Sequence, residues 1–144
     1  MKVVIQRVTS ASVSVEGAVI SSIGRGLCVL VGLASTDSNV EVEAMVKRIV
    51  SLRLFGDGWK QSVVDVQGEI LCVSQFTLLG STAKGAKPSF HRAMKTEEAR
   101  ELYASFLEKM RKSYIRERVL DGEFAAMMQV SLVNDGPVTI VIDK

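Results

Sequence analysis

Leu132-Val133-Asn134-Asp135-Gly136-Pro137-Val138-Thr139-Ile140 is the stretch on which the fold turns. An apolar, β-rich run enters it from Met127 to Val133, and another leaves it from Val138 to Ile142. Between them stand Asn, Asp, Gly and Pro. Each favours a turn for its own reason: side chains that bond the local backbone, access to positive φ, or a preset φ. Asp-Gly between two strands is a hairpin signal. Pro137 is the awkward residue. It has no N–H for a sheet ladder, so it belongs at a strand start, an edge or a bulge. It also makes Gly136-Pro137 an X-Pro bond, the one common site of a cis peptide, and the sequence leaves the isomer open. Two readings fit: a plain hairpin turn, or a backbone device that presents carbonyls to something.

Upstream, Asp121-Gly122 breaks the chain, so Ala125 to Leu132 and Val138 to Ile142 read as the last strands. Before the break, Ala99, Leu102, Tyr103, Phe106, Leu107 and Met110 recur at helical spacing, which predicts an amphipathic helix over Thr96 to Ser113. Thr96 can cap it, Glu97 and Glu98 suit its first turn, and Lys109, Arg111 and Lys112 its last. A first helix follows the polar break Ser35 to Asn39, carries Val42, Met45, Val46, Ile49 and Val50 on one side, and ends near Leu54. Val63 to Val66 and Glu69 to Phe76 read as strands joined by Gln67-Gly68. Trp59, after the Gly56-Asp57-Gly58 turn, is expected as a half-buried anchor. The N-terminal quarter reads as a meander of four strands: Lys2 to Val8, Ala11 to Val15, Ala18 to Ile23, and the unbroken apolar run Leu27 to Leu33. The sum predicts one α+β domain over residues 1–144, with a largely antiparallel sheet and two helices on one face.

The totals limit what the chain can be. At 144 residues it is long enough to bury a core without staples. A formal net charge of +2 makes no global statement about nucleic acid or membrane, so any basic surface is local. Cys28 and Cys72 lie inside apolar runs and read as small buried hydrophobes in a reducing compartment. A single His and two separate Cys do not make a usual zinc site, so no metal is expected. There is no P-loop and no Gly-x-Gly-x-x-Gly, so no nucleotide cofactor is indicated. No apolar run approaches the ~20 residues of a membrane span, and Met1 to Thr9 does not resemble a signal peptide. A cytoplasmic protein is expected.

Two further stretches carry candidate chemistry. Ser74-Gln75-Phe76-Thr77-Leu78 places polar side chains at the end of a buried run, either as ordinary strand-end hydroxyls or as a site on a rigid scaffold. A Ser or Thr nucleophile needs a base within reach. His91 and Asp135 could complete a triad by composition alone, but no Gly-x-Ser-x-Gly elbow supports one. Gly80 to Lys95 is a loop with no acidic residue, and it holds Lys84, Lys87, Arg92 and Lys95. It is either a solvated loop or a grip for phosphates. Phe90 and His91 could stack on a nucleotide base.

These residues carry a resemblance. Ser74-Gln75-Phe76-Thr77-Leu78 and Asn134-Asp135-Gly136-Pro137-Val138-Thr139 resemble the D-aminoacyl-tRNA deacylases. So do Val4-Ile5-Gln6-Arg7-Val8 with Ala11-Ser12-Val13, Lys84-Gly85-Ala86-Lys87-Pro88-Ser89-Phe90, and Phe124 to Leu132 with Met128. The resemblance covers essentially the whole chain. It implies hydrolysis of the ester between a D-amino acid and the terminal adenosine of tRNA, and of mischarged glycyl-tRNA, without a cofactor. It implies a homodimer in which sheets of two subunits pack together. Gly136 and Pro137, held cis, would reach into the partner's pocket and exclude L-amino acids by a backbone clash. Arg7 would pin their carbonyls, and Met128 would pack under the pocket. Val138, Thr139 and Leu78, with Lys84, Lys87 and Phe90 of the loop, complete the implied substrate-binding set. Catalysis is implied to draw on the ribose 2′-hydroxyl, with backbone N–H groups near Phe76 and Thr77 holding the oxyanion and Gln75 and Ser74 orienting adenosine or water. Thr77 as covalent nucleophile is the competing proposal. Two rivals remain: a nucleic-acid-binding dimer without catalysis that uses Lys84, Lys87, Arg92 and Lys95, and an editing module normally attached to a synthetase.

Overall fold

The alternating N-terminal sequence folds as one long strand, β1 (Lys2–Val15), and not as two. The computed structural model describes residues 1–144. One edge of β1 pairs first with β3 (Gly26–Gly32) and then with β2 (Ala18–Ile23), both antiparallel. Its other edge pairs along almost its whole length with β6 (Gln129–Asp143), also antiparallel. β4 (Glu69–Ser74) and β5 (Val119–Asp121) extend the sheet from β3 in the order β2-β1-β3-β4-β5.

The β3–β4 and β4–β5 pairs are parallel. The sheet is therefore mixed, which corrects the expectation of a largely antiparallel one. Helices force this result. α1 (Asn39–Ser51) lies between β3 and β4, and α2 (Thr96–Ser113) between β4 and β5. A helical crossover returns the chain parallel.

β6 corrects a second expectation. Asn134 to Pro137 does not turn the chain back; one strand runs through it. The register explains how a proline is accommodated. Val8 pairs Asn134 and Gln6 pairs Thr139, so two steps of β1 face five of β6. The surplus residues bulge out of the ladder, and Pro137 owes it no hydrogen bond.

The central strands are buried on both faces, and successive residues serve different cores. Leu27, Val29 and Val31 of β3, with Ile70 and Cys72 of β4, face the helices and join Val42, Met45, Ile49, Phe106 and Met110. Cys28, Leu71 and Val73 face away and join Val8, Ala11, Val13 and Ile23. β1 serves both cores, with Val3 and Ile5 in the first and Val8, Ala11 and Val13 in the second. Both cysteines are free and buried, as expected, and burial pushes the Cys28 thiol up to about 11.

Four local expectations fail. Val63 to Val66 is a turn, because Ser62 and Asp65 bond each other's backbone N–H, at 2.8 and 3.1 Å. Trp59 is 58% exposed with φ at +57°, so it anchors nothing. α2 starts with Lys95 at its cap position and without a side-chain cap bond, so Thr96 does not cap it. α1 stops at Ser51, short of Leu54.

Two predictions follow from this packing. Ser38 caps α1: its Oγ accepts from Val40 N–H, and Glu41 accepts from Ser38 N–H at 2.7 Å. Ser38→Ala should cost about 1 kcal/mol in urea denaturation. At the far edge, Tyr103 Oη donates to Asp121 Oδ1 at 2.6 Å, tying α2 to β5. Burial raises the Asp121 carboxyl above its ordinary 3.8. A carboxyl raised by folding contributes stability that is complete below its unfolded value and lost as pH rises through its folded value. Thermal unfolding of Asp121→Asn should therefore gain on the wild type as pH rises from about 4 to 7.

Candidate active site

β4 delivers Ser74 to the end of the sheet, and the chain then tightens into a 3-10 turn, Phe76–Leu79. Gln75 N–H donates back to Val31 at 2.7 Å, and Leu79 is buried. Gly32 makes this docking possible. A Cβ there would stand 2.7 Å from Leu79 Cδ2 and 2.9 Å from the Gln75 oxygen. Leu78 donates to Gln75 at 3.3 Å and Gly80 to Thr77 at 2.9 Å. Phe76 and Thr77 therefore precede the first N–H of the turn that has a partner within it, and both are exposed. Gln75 Nε2 donates to Thr77 Oγ1. Beside the turn lies a cavity of about 180 Å³, lined among others by Lys2, Ser35, Thr36, Leu78 and Arg92.

The triad permitted by composition is not assembled. His91 Nδ1 lies 2.9 Å from Ser89 Oγ. Asp135 is held by Arg7, whose Nε lies 3.3 Å from Oδ2 and donates to the Asp135 carbonyl at 3.2 Å. Thr77 has no general base among its hydrogen-bond partners.

The basic loop is closed at its neck. Ser81 and Ser89 exchange two backbone hydrogen bonds, each 2.8 Å. Lys84 and Lys87 are exposed between them. Phe90 packs its ring against Phe76, with centroids 5.2 Å apart and planes at 74°.

Gly136-Pro137 is cis and sits exposed on the β6 bulge. Gly136 has φ at +123°, a conformation that favours glycine. Arg7 stands behind it: its Nη1 donates to the Leu54 carbonyl at 2.7 Å while Nε holds Asp135. The Phe55 ring lies 5.9 Å from the same guanidinium. Leu54 and Phe55 are the residues that reading the sequence missed; an apolar pair ahead of a glycine turn gives no sign that its carbonyl will fix an arginine. Val138 packs against the first core, and Thr139 is exposed opposite Gln6. Met128 packs on the second core against Gly122, whose N–H bonds the Cys72 carbonyl two residues before Ser74.

One chain does not bring the two motifs together. The 3-10 turn rests on Gly32, which pairs with Lys2, whereas the Gly136-Pro137 bulge faces Arg7. Five steps of strand separate those positions, roughly 17 Å. The hold on the bulge is testable alone. Arg7→Ala removes its bonds to Leu54 and Asp135, and should cost about 1.5–3 kcal/mol in denaturant unfolding. It should also broaden the Gly136 amide resonance relative to the wild type.

Comparisons with known proteins converge on one family. The family model described as D-Tyr-tRNA(Tyr) deacylase matches residues 4–143. The Homo sapiens protein named D-aminoacyl-tRNA deacylase 1 is 55% identical over 148 aligned residues, covering 100% of this chain and 70% of its own length. The Saccharomyces cerevisiae D-aminoacyl-tRNA deacylase is 50% identical, over 100% of this chain and 99% of its own. A solved structure named c-Myc DNA Unwinding Element Binding Protein superposes with a TM-score of 0.96 at 55% identity, covering 100% of this chain and 99% of that one. With a match spanning nearly every residue and relatives at half identity or more, the chain belongs to the D-Tyr-tRNA(Tyr) deacylase family.

Proposed function

We propose that the chain is a homodimeric D-aminoacyl-tRNA deacylase whose pocket is shared between two copies. The observation that carries this reading is the separation of the two motifs. Phe76 and Thr77 of the turn and the Gly136-Pro137 bulge are exposed, and their supports on β1, opposite Gly32 and at Arg7, lie roughly 17 Å of strand apart in one chain. A second copy related by a two-fold axis would bring the bulge of each to the turn of the other. Family membership supplies the substrate class: the relatives' names specify a D-aminoacyl ester on tRNA.

In this reading the turn binds the terminal adenosine, and Lys84 and Lys87 meet phosphates of the acceptor end. The partner's Gly-Pro carbonyls fill the space that an L side chain needs, so rejection rests on main chain alone. Glycine has no side chain to reject, and its ester is accepted for the same reason. Ser74 and Gln75 orient the adenosine or the attacking water. Water adds to the ester carbonyl, and the N–H groups of Phe76 and Thr77 take the developing oxyanion. The carbon–oxygen bond to the ribose then breaks. The departing 3′-oxygen gains the proton that the attacking water gives up, relayed through the neighbouring 2′-hydroxyl, which leaves free D-amino acid and intact tRNA. Thr77 is an orienting group here, since Gln75 already occupies its hydroxyl and no base adjoins it. The buried thiols suit a reducing compartment such as the cytoplasm.

A nucleic-acid-binding role without catalysis is the second reading. It draws on the basic loop and on the name of the structure at TM-score 0.96. Deacylation of D-Tyr-tRNA against L-Tyr-tRNA by the purified protein separates the two, with Thr77→Ala beside it. The deacylase reading predicts loss of the D ester alone, with Thr77→Ala within about tenfold of wild type, less than the loss expected for a nucleophile. A dead Thr77→Ala would return the hydroxyl as nucleophile. Salt-sensitive binding of both esters with no turnover would leave the binding role.

A further inference from the structure

We propose that Phe90 is a positioning residue: its ring fixes Phe76, and through Phe76 the backbone N–H groups that open the 3-10 turn. The inference rests on the deacylase reading for its kinetic consequence, but its structural basis is independent of it.

The sequence suggested Phe90 as a ring for stacking on a base. The structure commits that ring elsewhere. It meets Phe76 edge-on, with centroids 5.2 Å apart. Phe76 is 58% exposed, so little else confines its side chain. Gly80 marks how close the approach is. Its φ is an ordinary −63°, so the backbone does not require glycine there. A Cβ at Gly80 would instead lie 2.9 Å from Phe90 Cε1 and 2.9 Å from the Thr77 carbonyl oxygen. The missing Cβ is the space in which the Phe90 ring reaches the turn.

Phe90 itself is anchored on both sides. Before it, Ser89 is bonded twice to Ser81. After it, Ala93 N–H donates to the Phe90 carbonyl at 3.0 Å. Ser35 donates to Arg92 and Met94 to Leu33, which ties the segment to the connection after β3. The lysine-bearing loop is thus closed off at the Ser81–Ser89 neck, and the segment beyond it is held to the connection that follows β3, the strand that supports the turn. The device keeps the geometry of Phe76 and Thr77 independent of a loop that must follow a flexible nucleic acid.

The experiment compares wild type, Phe90→Leu and Phe90→Tyr on two esters: D-Tyr-tRNA and D-tyrosyl-adenosine, which lacks the acceptor-stem phosphates. Phe90→Leu should lower kcat by about 10- to 100-fold on both esters, the scale of a sub-ångström to 1 Å misplacement, with KM little changed. Phe90→Tyr keeps the ring and should restore kcat. Circular dichroism and thermal unfolding confirm that both variants fold. The Thr77 amide resonance should shift in Phe90→Leu and return in Phe90→Tyr, a readout that needs no turnover. A loss confined to D-Tyr-tRNA and expressed in KM would overturn the inference in favour of direct contact with the nucleic acid. So would an unmoved Thr77 amide. If wild type cleaves neither ester while the amide behaves as stated, the positioning role stands and the deacylase reading falls.

Discussion

Between Val8 and Gln6 of β1, the paired strand β6 fits five residue steps against two. That mismatch of register is the constraint on which the rest depends. A strand cannot absorb surplus residues within a ladder, so they leave it as a bulge. The bulge leaves Pro137 without an unmet ladder bond and carries Gly136 at a φ suited to glycine. It must also be held, and Arg7, the residue opposite it, does this by bonding Asp135 on one side and Leu54 on the other. Because β1 also supplies residues to both cores, the bulge rests on a strand packed on both faces.

Much of this was legible from the residues, and the limits have physical causes. Both helices are written in the spacing of Val42, Met45, Ile49 and of Tyr103, Phe106, Met110, all of which are buried. The apolar run Leu27 to Val31 announced a strand covered on both faces. Direction of pairing leaves no mark in side-chain alternation, which is the same in parallel and antiparallel strands; it follows from the helix between two strands, a consequence that the legible helices already carried. The hairpin signal at Asp135-Gly136 misled because local turn chemistry serves a bulge as well as a reversal. The Phe76 and Gly136-Pro137 motifs were visible. Their separation along β1, and the part Leu54 plays behind Arg7, depend on contacts distant in sequence and had no local trace.

The chemistry that fits such a scaffold is one of placement. No base adjoins Thr77, and the two groups that might have formed a relay, His91 and Asp135, are engaged elsewhere. What the chain offers instead is fixed main chain: N–H groups at the start of a short turn, and carbonyls on a pinned bulge. Main-chain groups of this kind bring little reorganisation at the moment of reaction. On the proposed reading they would also discriminate by shape, since a side chain of the wrong hand would meet a carbonyl held in place.

The central claim is that each pocket takes its turn from one copy and its bulge from the other. Subunit complementation tests it most directly. One variant would carry Phe76→Ala with Gln75→Ala, and a second would replace Gly136-Pro137 by Ala-Ala. Each is expected to be inactive alone. Unfolded and refolded together, they should recover about a quarter of wild-type activity, because half the dimers are mixed and each holds one intact pocket of two. A mixture as inactive as its parents would contradict the account and place the whole pocket within a single chain.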